Sequence, residues 1–455
     1  MRLTVCRWFV ISSVLISTMA HAATRPHYGG TVRVETRATI QSLEPPALIV
    51  AGVEEIVPLI GDTLAGFDAS GRPVPLLATR WQADNGNRRW QFWVRPGVFL
   101  HNGASLTPAH VAKSLAAANP SWRVQAGSEA VTIESDLPVA DMPAELARPV
   151  YAVLVSDSGQ LVGTGPFQVL EFQPGTRLRL KAFDECWRGR PYLDSLQITF
   201  NKSLREQAVD LQLGRADVVE AGVEQMRRAS QALGTVAASW PAELLAVQFM
   251  HGSGPSEDPR IRQAISLAID RGAIFSVLLQ RQGEPSASLL PQWISGYSYL
   301  FNADRNLSRA RELKAQAGSV QAPVTLGYDS ASDLERAIAE RIAVNAKDAG
   351  INVQAVPGTG AAAFIVRVPV VSANARAALA SMLTRLDAGQ IPRLFPARTP
   401  EDLYGVESEV LEQWRVVPLA HIPEGFVLGP RVRDWLEPRE GGWPLASVWM
   451  EAVGK

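Results

Sequence analysis

Short runs of alternating apolar and polar residues recur along the chain, separated by turns and by runs at helical spacing. Thr31 to Glu35 reads Thr-Val-Arg-Val-Glu, a period of two that predicts a strand, and the turn-rich Leu43-Glu44-Pro45-Pro46 follows it. Trp90, Phe92 and Val94 alternate with Gln91 and Trp93, which predicts a half-buried strand ending at Arg95-Pro96-Gly97. Phe167 to Leu170 and Leu178 to Leu180 predict paired strands across Gln173-Pro174-Gly175-Thr176, and Leu196 to Phe200 predicts another. Weaker alternation places strands around Val131 to Ile133 and Tyr151 to Val155.

The helical signals are cleaner. Ile56 to Leu64 predicts a helix leading to the turn Phe67-Asp68-Ala69-Ser70-Gly71. Thr107 is an N-cap with Pro108 at the first helical position, and Val111, Leu115 and Ala118 follow at helical spacing. His110 stands where a carboxylate would better suit a capping box, and it is read as a surface residue. Asp258 and Pro259 open a helix whose Ile261, Ala264, Ile265, Ala268 and Ile269 form one apolar stripe. Val324, Leu326 and Tyr328, then Leu334, Ile338 and Ile342, then Ile351 and Val353 spell a β-α-β unit, hence a parallel pair with a right-handed crossover. No repeat of fixed period is present, and the chain is a mixed α/β protein.

Composition narrows the function classes. With 455 residues, 47% of them apolar and 20% charged, the chain has core material for two or three domains. Its 44 Lys and Arg nearly balance 45 Asp and Glu, so the charge field expected of a nucleic-acid binder is missing. Two cysteines, Cys6 and Cys186, make no framework and no CxxC pair. Arg2 and Arg7, the apolar stretch Trp8 to Met19 and Ala20-His21-Ala22 read as a cleavable export signal over residues 1–22. The expected compartment is the periplasm, with Cys186 left as the single thiol.

Motifs for catalysis are sparse: no HExxH, no P-loop and no G-x-S-x-G elbow occurs. Gly358-Thr359-Gly360-Ala361-Ala362-Ala363 follows a strand, but Phe364 to Val368 continue as a strand, so the segment reads as a turn and not as a dinucleotide site. No enzyme activity, cofactor or metal site is expected.

Three stretches in order resemble the solute-binding proteins of ABC importers, the family 5 group that includes oligopeptide, dipeptide and nickel binders. The first runs from Asp62-Thr63-Leu64 through Pro73 to Trp81, Trp90 to Val98, His101-Asn102-Gly103 and Leu106-Thr107-Pro108. The second is Gly163-Thr164-Gly165-Pro166-Phe167 followed by Trp187 to Asp194, and the third is Pro259 to Ile265 with Ala268-Ile269-Asp270-Arg271. Val417 to Phe426 is similar to the family's return strand.

The resemblance implies a periplasmic-binding-protein type II bilobal fold with an inserted third domain. Residues 23–62, 163–248 and 417–455 would form the first lobe, 63–162 the insert, and 249–416 a shortened second lobe. A small-molecule or short-peptide ligand, or a metal chelate, would lie between the lobes and pass to an ABC permease in the inner membrane. The protein would act as a monomer without nucleic acid. The alternative is a diverged binding fold that senses a ligand or docks on a membrane partner without transport. The candidate ligand contacts are Glu44, Thr164, Gly165, Phe167, Trp187, Phe249 and Met250. The acidic residue that oligopeptide binders use for the peptide amine has no counterpart in the region Ser372 to Tyr404, which is expected to be an Ala-rich helix and a short linker.

Overall fold

The computed structural model describes residues 25–44, 52–68, 70–157, 159–252, 254–318, 322–389, 394, 396–436 and 443–451, so the segment 1–22, expected to be an export signal, lies outside the described residues. Two strands organise the molecule. Thr235–Phe249 and Val416–Leu428 run antiparallel through the middle of one mixed sheet. On one side the sheet continues through Val218–Ala221, Thr31–Glu35, Ser195–Thr199, Arg177–Ala182 and Phe167–Gln173, and on the other through Ala363–Pro369, Val324–Tyr328 and Val353–Pro357. Each long strand therefore belongs to both lobes.

The crossing between lobes is written in the register. Thr235 to Ala238 pair with Leu428 to Gly425 in the first lobe, and Glu243 to Gln248 pair with Ile422 to Val416 in the second. Between them the register slips at Pro241 and Pro423. Proline has no N–H to give to a ladder, so a pair of prolines opens the sheet at this point. Two of the three register shifts between the strands that join the lobes thus fall where the lobes meet, and the third lies between Leu245 and Ala246.

Packing explains why the second-lobe half of Thr235–Phe249 is so apolar. Leu244 and Ala246 enter one core with Leu379, Met382 and Val410, while Leu245 and Val247 enter another with Ile261, Leu326 and Ile338. A strand covered on both faces loses its alternation, because every side chain meets a helix layer. The β-α-β unit forms as the spacing predicts: Val324–Tyr328 and Val353–Pro357 pair in parallel across the helix Asp333–Asp348.

The segment between the first two passages through the first lobe folds around a four-stranded sheet, ordered Ala78–Ala83, Arg89–Val94, Ala130–Glu134, Arg123–Ala126. Its Phe92 and Ile133 share one core with Val32, Leu180 and Ile198, so the insert is seated on the first lobe. It also reaches the second lobe: Arg376 Nη2 donates to Asp141 O at 2.7 Å and Asn374 Nδ2 to Gly71 O at 3.1 Å.

Several local expectations are revised. Tyr151 ends a short 3-10 turn, Pro149–Tyr151, and a strand begins only at Val155. His110 completes the capping box itself, its Nδ1 accepting from Thr107 N at 3.2 Å, since a neutral imidazole nitrogen can accept as a carboxylate does. Among the described residues, the region after Ser372 includes the helices Ala375–Arg385 and Pro400–Leu411, the second with its own Thr399 cap.

Candidate functional site

Where the long strands cross, residues from both lobes line a half-open cavity of about 380 Å³. Thr36 to Thr39 enter it just past the carboxyl end of Thr31–Glu35, and Glu220 with Ala221 from the end of the neighbouring parallel strand. Ligands of α/β sheets commonly bind at such strand ends. Glu55 comes from the helix Val53–Ile60, Glu243 and Arg367 from paired strands of the second lobe, and Glu424 from the crossing itself.

Two of the carboxylates are held by guanidinium groups. Glu220 accepts from Thr36 Oγ1 at 2.7 Å and from Arg37 N and Nε at 3.0 Å each. The fully buried amide of Gln207 fixes it from behind: Glu220 N donates to Gln207 Oε1 at 2.8 Å, and Gln207 Nε2 to Glu220 Oε2 at 3.3 Å. Arg367 donates from Nε to Glu243 Oε2 at 2.9 Å, with a second contact from Nη2. Burial works against the Arg367 charge, but Glu243, with Glu335 and Glu224 behind it, outweighs burial and the guanidinium pKa is raised.

Glu424 differs from these two. Among the described residues, no donor or cation meets its carboxylate within hydrogen-bond or ion-pair distance. Burial, followed by the negative charges of Glu55, Glu243 and Glu220, raises its pKa well above the usual carboxylate range, with Arg367 opposing. Carboxylates outnumber guanidinium groups four to two among the described lining residues. The cavity therefore holds more acids than guanidinium groups, and a cationic group would favour the ionised form of Glu424.

The seven ligand contacts expected from the sequence stand elsewhere, and none lines this cavity. Thr164 and Trp187 converge on the buried carboxylate of Asp62, donating from Oγ1 and Nε1 at 2.9 Å each, and Arg188 adds an ion pair at 2.6 Å. Gly165 and Gly163 pack on the carboxyl end of the helix Val53–Ile60. A Cβ on Gly165 would come within 2.5 Å of Ile60 C, and one on Gly163 within 2.3 Å of Ile60 O. These glycines serve close backbone approach rather than an unusual φ. Phe167 is fully buried in the first-lobe core. Glu44 is exposed, Phe249 is buried in the second-lobe core, and Met250 is exposed beyond it.

The cavity residues did carry a signal. Glu220, Glu243, Arg367 and Glu424 each supply the charge in a largely apolar strand, and a charge in such a run is costly unless paired or used. Histidines give no comparable cluster. His421 is wholly buried with Nε2 at 2.8 Å from Leu289 O, and burial lowers its pKa to about 4. Among the described residues no group of three or more His, Cys, Asp and Glu is arranged to hold a metal ion, and no helix is long and apolar enough to cross a membrane.

Two lobes joined by paired strands around a half-open cavity lined by charged residues are the architecture expected of a solute-binding protein. The chain belongs to the bacterial extracellular solute-binding proteins, family 5, whose family model (family 5 Middle) matches residues 72–374. It is 32% identical over 186 residues to the protein YhjP of Bacillus subtilis, covering 38% of this chain and 32% of that one. It is 21% identical over 297 residues to the dipeptide-binding protein of Escherichia coli, covering 54% and 56%. The chain thus spans about a third to just over half the length of these relatives. In fold it is similar to NikA from Staphylococcus aureus, solved in complex with Ni(L-His)2, with a TM-score of 0.78 at 16% identity over 92% of this chain and 100% of the other.

Proposed function

We propose that this chain is the periplasmic solute-binding component of an ABC importer, capturing an amine-bearing solute between its lobes and presenting it to a permease. The cavity at the strand crossing carries the reading: both lobes line it, so a ligand held there favours the closed arrangement. Its excess of carboxylates selects for a cation, and Glu424 offers a carboxyl that no cation among the described residues meets. A short peptide with a free terminal ammonium suits this chemistry, in keeping with the dipeptide-binding relative. Binding involves no covalent step. Export through the segment 1–22 agrees with the role.

Native mass spectrometry of protein purified without denaturation tests this directly. A retained amine-bearing solute, lost on adding competing dipeptide, is the expected result. A mature chain that retains nothing and gives no calorimetric signal with amines, peptides or metal chelates would overturn it.

A further inference from the structure

A second cavity, of about 330 Å³, lies in the seam between the insert and the second lobe, apart from the crossing. Its insert wall includes Trp122 and Tyr151, whose rings stack at 4.9 Å with an interplanar angle of 24°, together with Leu137 and Val139. The opposite wall is the helix Ala375–Arg385, which contributes Arg376, Ala380 and Thr384. The volume falls in the range of about 300–1,000 Å³ usual for small-molecule sites.

The polar groups of this cavity are unevenly matched. Glu145 is occupied by Arg148 at 2.6 Å and by the Tyr151 hydroxyl at 2.9 Å. Asp136 is largely exposed and paired with Arg123 at 3.0 Å. Arg376 has no carboxylate partner among the described residues: it donates once, to Asp141 O, although a guanidinium carries five N–H donors. Burial lowers its pKa, and the more distant charges of Asp141 and Glu145 only oppose that. The Trp122 indole N–H likewise meets no acceptor among the described residues. Among the described residues this leaves a guanidinium with no carboxylate partner and an indole donor with no acceptor beside an aromatic and aliphatic wall.

We propose that this seam is a second binding site that takes a small aromatic carboxylate, with Arg376 holding the carboxylate and the Trp122–Tyr151 face covering the ring. A guanidinium binds a carboxylate through two parallel N–H donors, and the apolar wall supplies the area that a small anion by itself lacks. Because its walls belong to the insert and to the second lobe, an occupant tethers the two and favours lobe closure. Linkage then requires that it tighten the solute cavity by the same factor by which solute tightens it. The site itself stands whether or not the solute cavity takes an amine.

Titration of the full chain with benzoate and with its neutral isostere benzamide tests the assignment, read by the indole N–H resonances of the twelve tryptophans. Trp122 is identified by the signal that Trp122→Phe removes. Benzoate is expected to move that signal saturably, with at least tenfold weaker binding for benzamide and for Arg376→Gln. Equal affinity for benzoate and benzamide, an unmoved Trp122 signal, or unaltered benzoate affinity in a folded Arg376→Gln would overturn the proposal. The comparison of the two probes on the unmodified chain decides the matter even if the arginine variant does not fold.

Discussion

Glu424 is the residue on which pH acts most directly. Its pKa is raised by burial and by neighbouring carboxylates, so the empty cavity favours the protonated form. A bound ammonium favours the ionised form, and the affinity for an amine should rise as pH rises toward the pKa of Glu424 in the empty protein. The proton leaves as the cation arrives. Calorimetry in buffers of different ionisation enthalpy should show proton release, and Glu424→Gln should abolish that release. The same variant should weaken amine binding by roughly ten- to a hundredfold, since a hydrogen bond to a charged group contributes about 1.5–3 kcal/mol. Glu220 is unsuited to this part, because Arg37, Thr36 and Gln207 already hold it.

At the scale of elements, two contacts fix how segments return to the body of the fold. The loop Gly163 to Pro166 lies against the end of the helix Val53–Ile60, with Gly165 N donating to Ile60 O at 2.9 Å. Gly165→Ala would place a methyl inside backbone contact distance, and such overpacking should cost about 1–3 kcal/mol in urea unfolding. In the second lobe Glu407, on the helix Pro400–Leu411, accepts from the backbone N–H of Leu289 and Leu290 and from the Tyr297 hydroxyl. Burial pushes this carboxyl up to about 7. A raised acid favours its neutral form in the folded state, so its contribution is complete below about 4.5 and is lost as pH rises through about 7. Urea midpoints should therefore fall between these values in the unmodified chain, and Glu407→Gln should flatten that part of the profile.

At the scale of the whole molecule, closure is the property that function requires. Solute touching both walls of the crossing should shift the population toward the closed form, and small-angle scattering should show a smaller radius of gyration on adding the retained solute. An unchanged profile at saturation would leave the lobes uncoupled from binding. The sequence by itself determined the elements whose periodicity is local: the β-α-β unit, the capped helices at Pro108 and Pro259, and the strand Arg89–Val94 all stand where their spacing put them. It also carried the family through three ordered stretches. It did not determine the cavity. Trp187 and Thr164, expected as ligand contacts, both donate to Asp62, a buried carboxylate 125 and 102 residues away in sequence, a convergence that no local spacing shows. Glu220, Glu243, Arg367 and Glu424 sit on four separate strands that meet through the pairing of two long strands shared by both lobes, and Glu55 joins them from the helix Val53–Ile60. Periodicity is set by neighbours along the chain, whereas the field at a carboxylate is set by neighbours in space, and that difference divides what was legible in the sequence from what the tertiary structure decided.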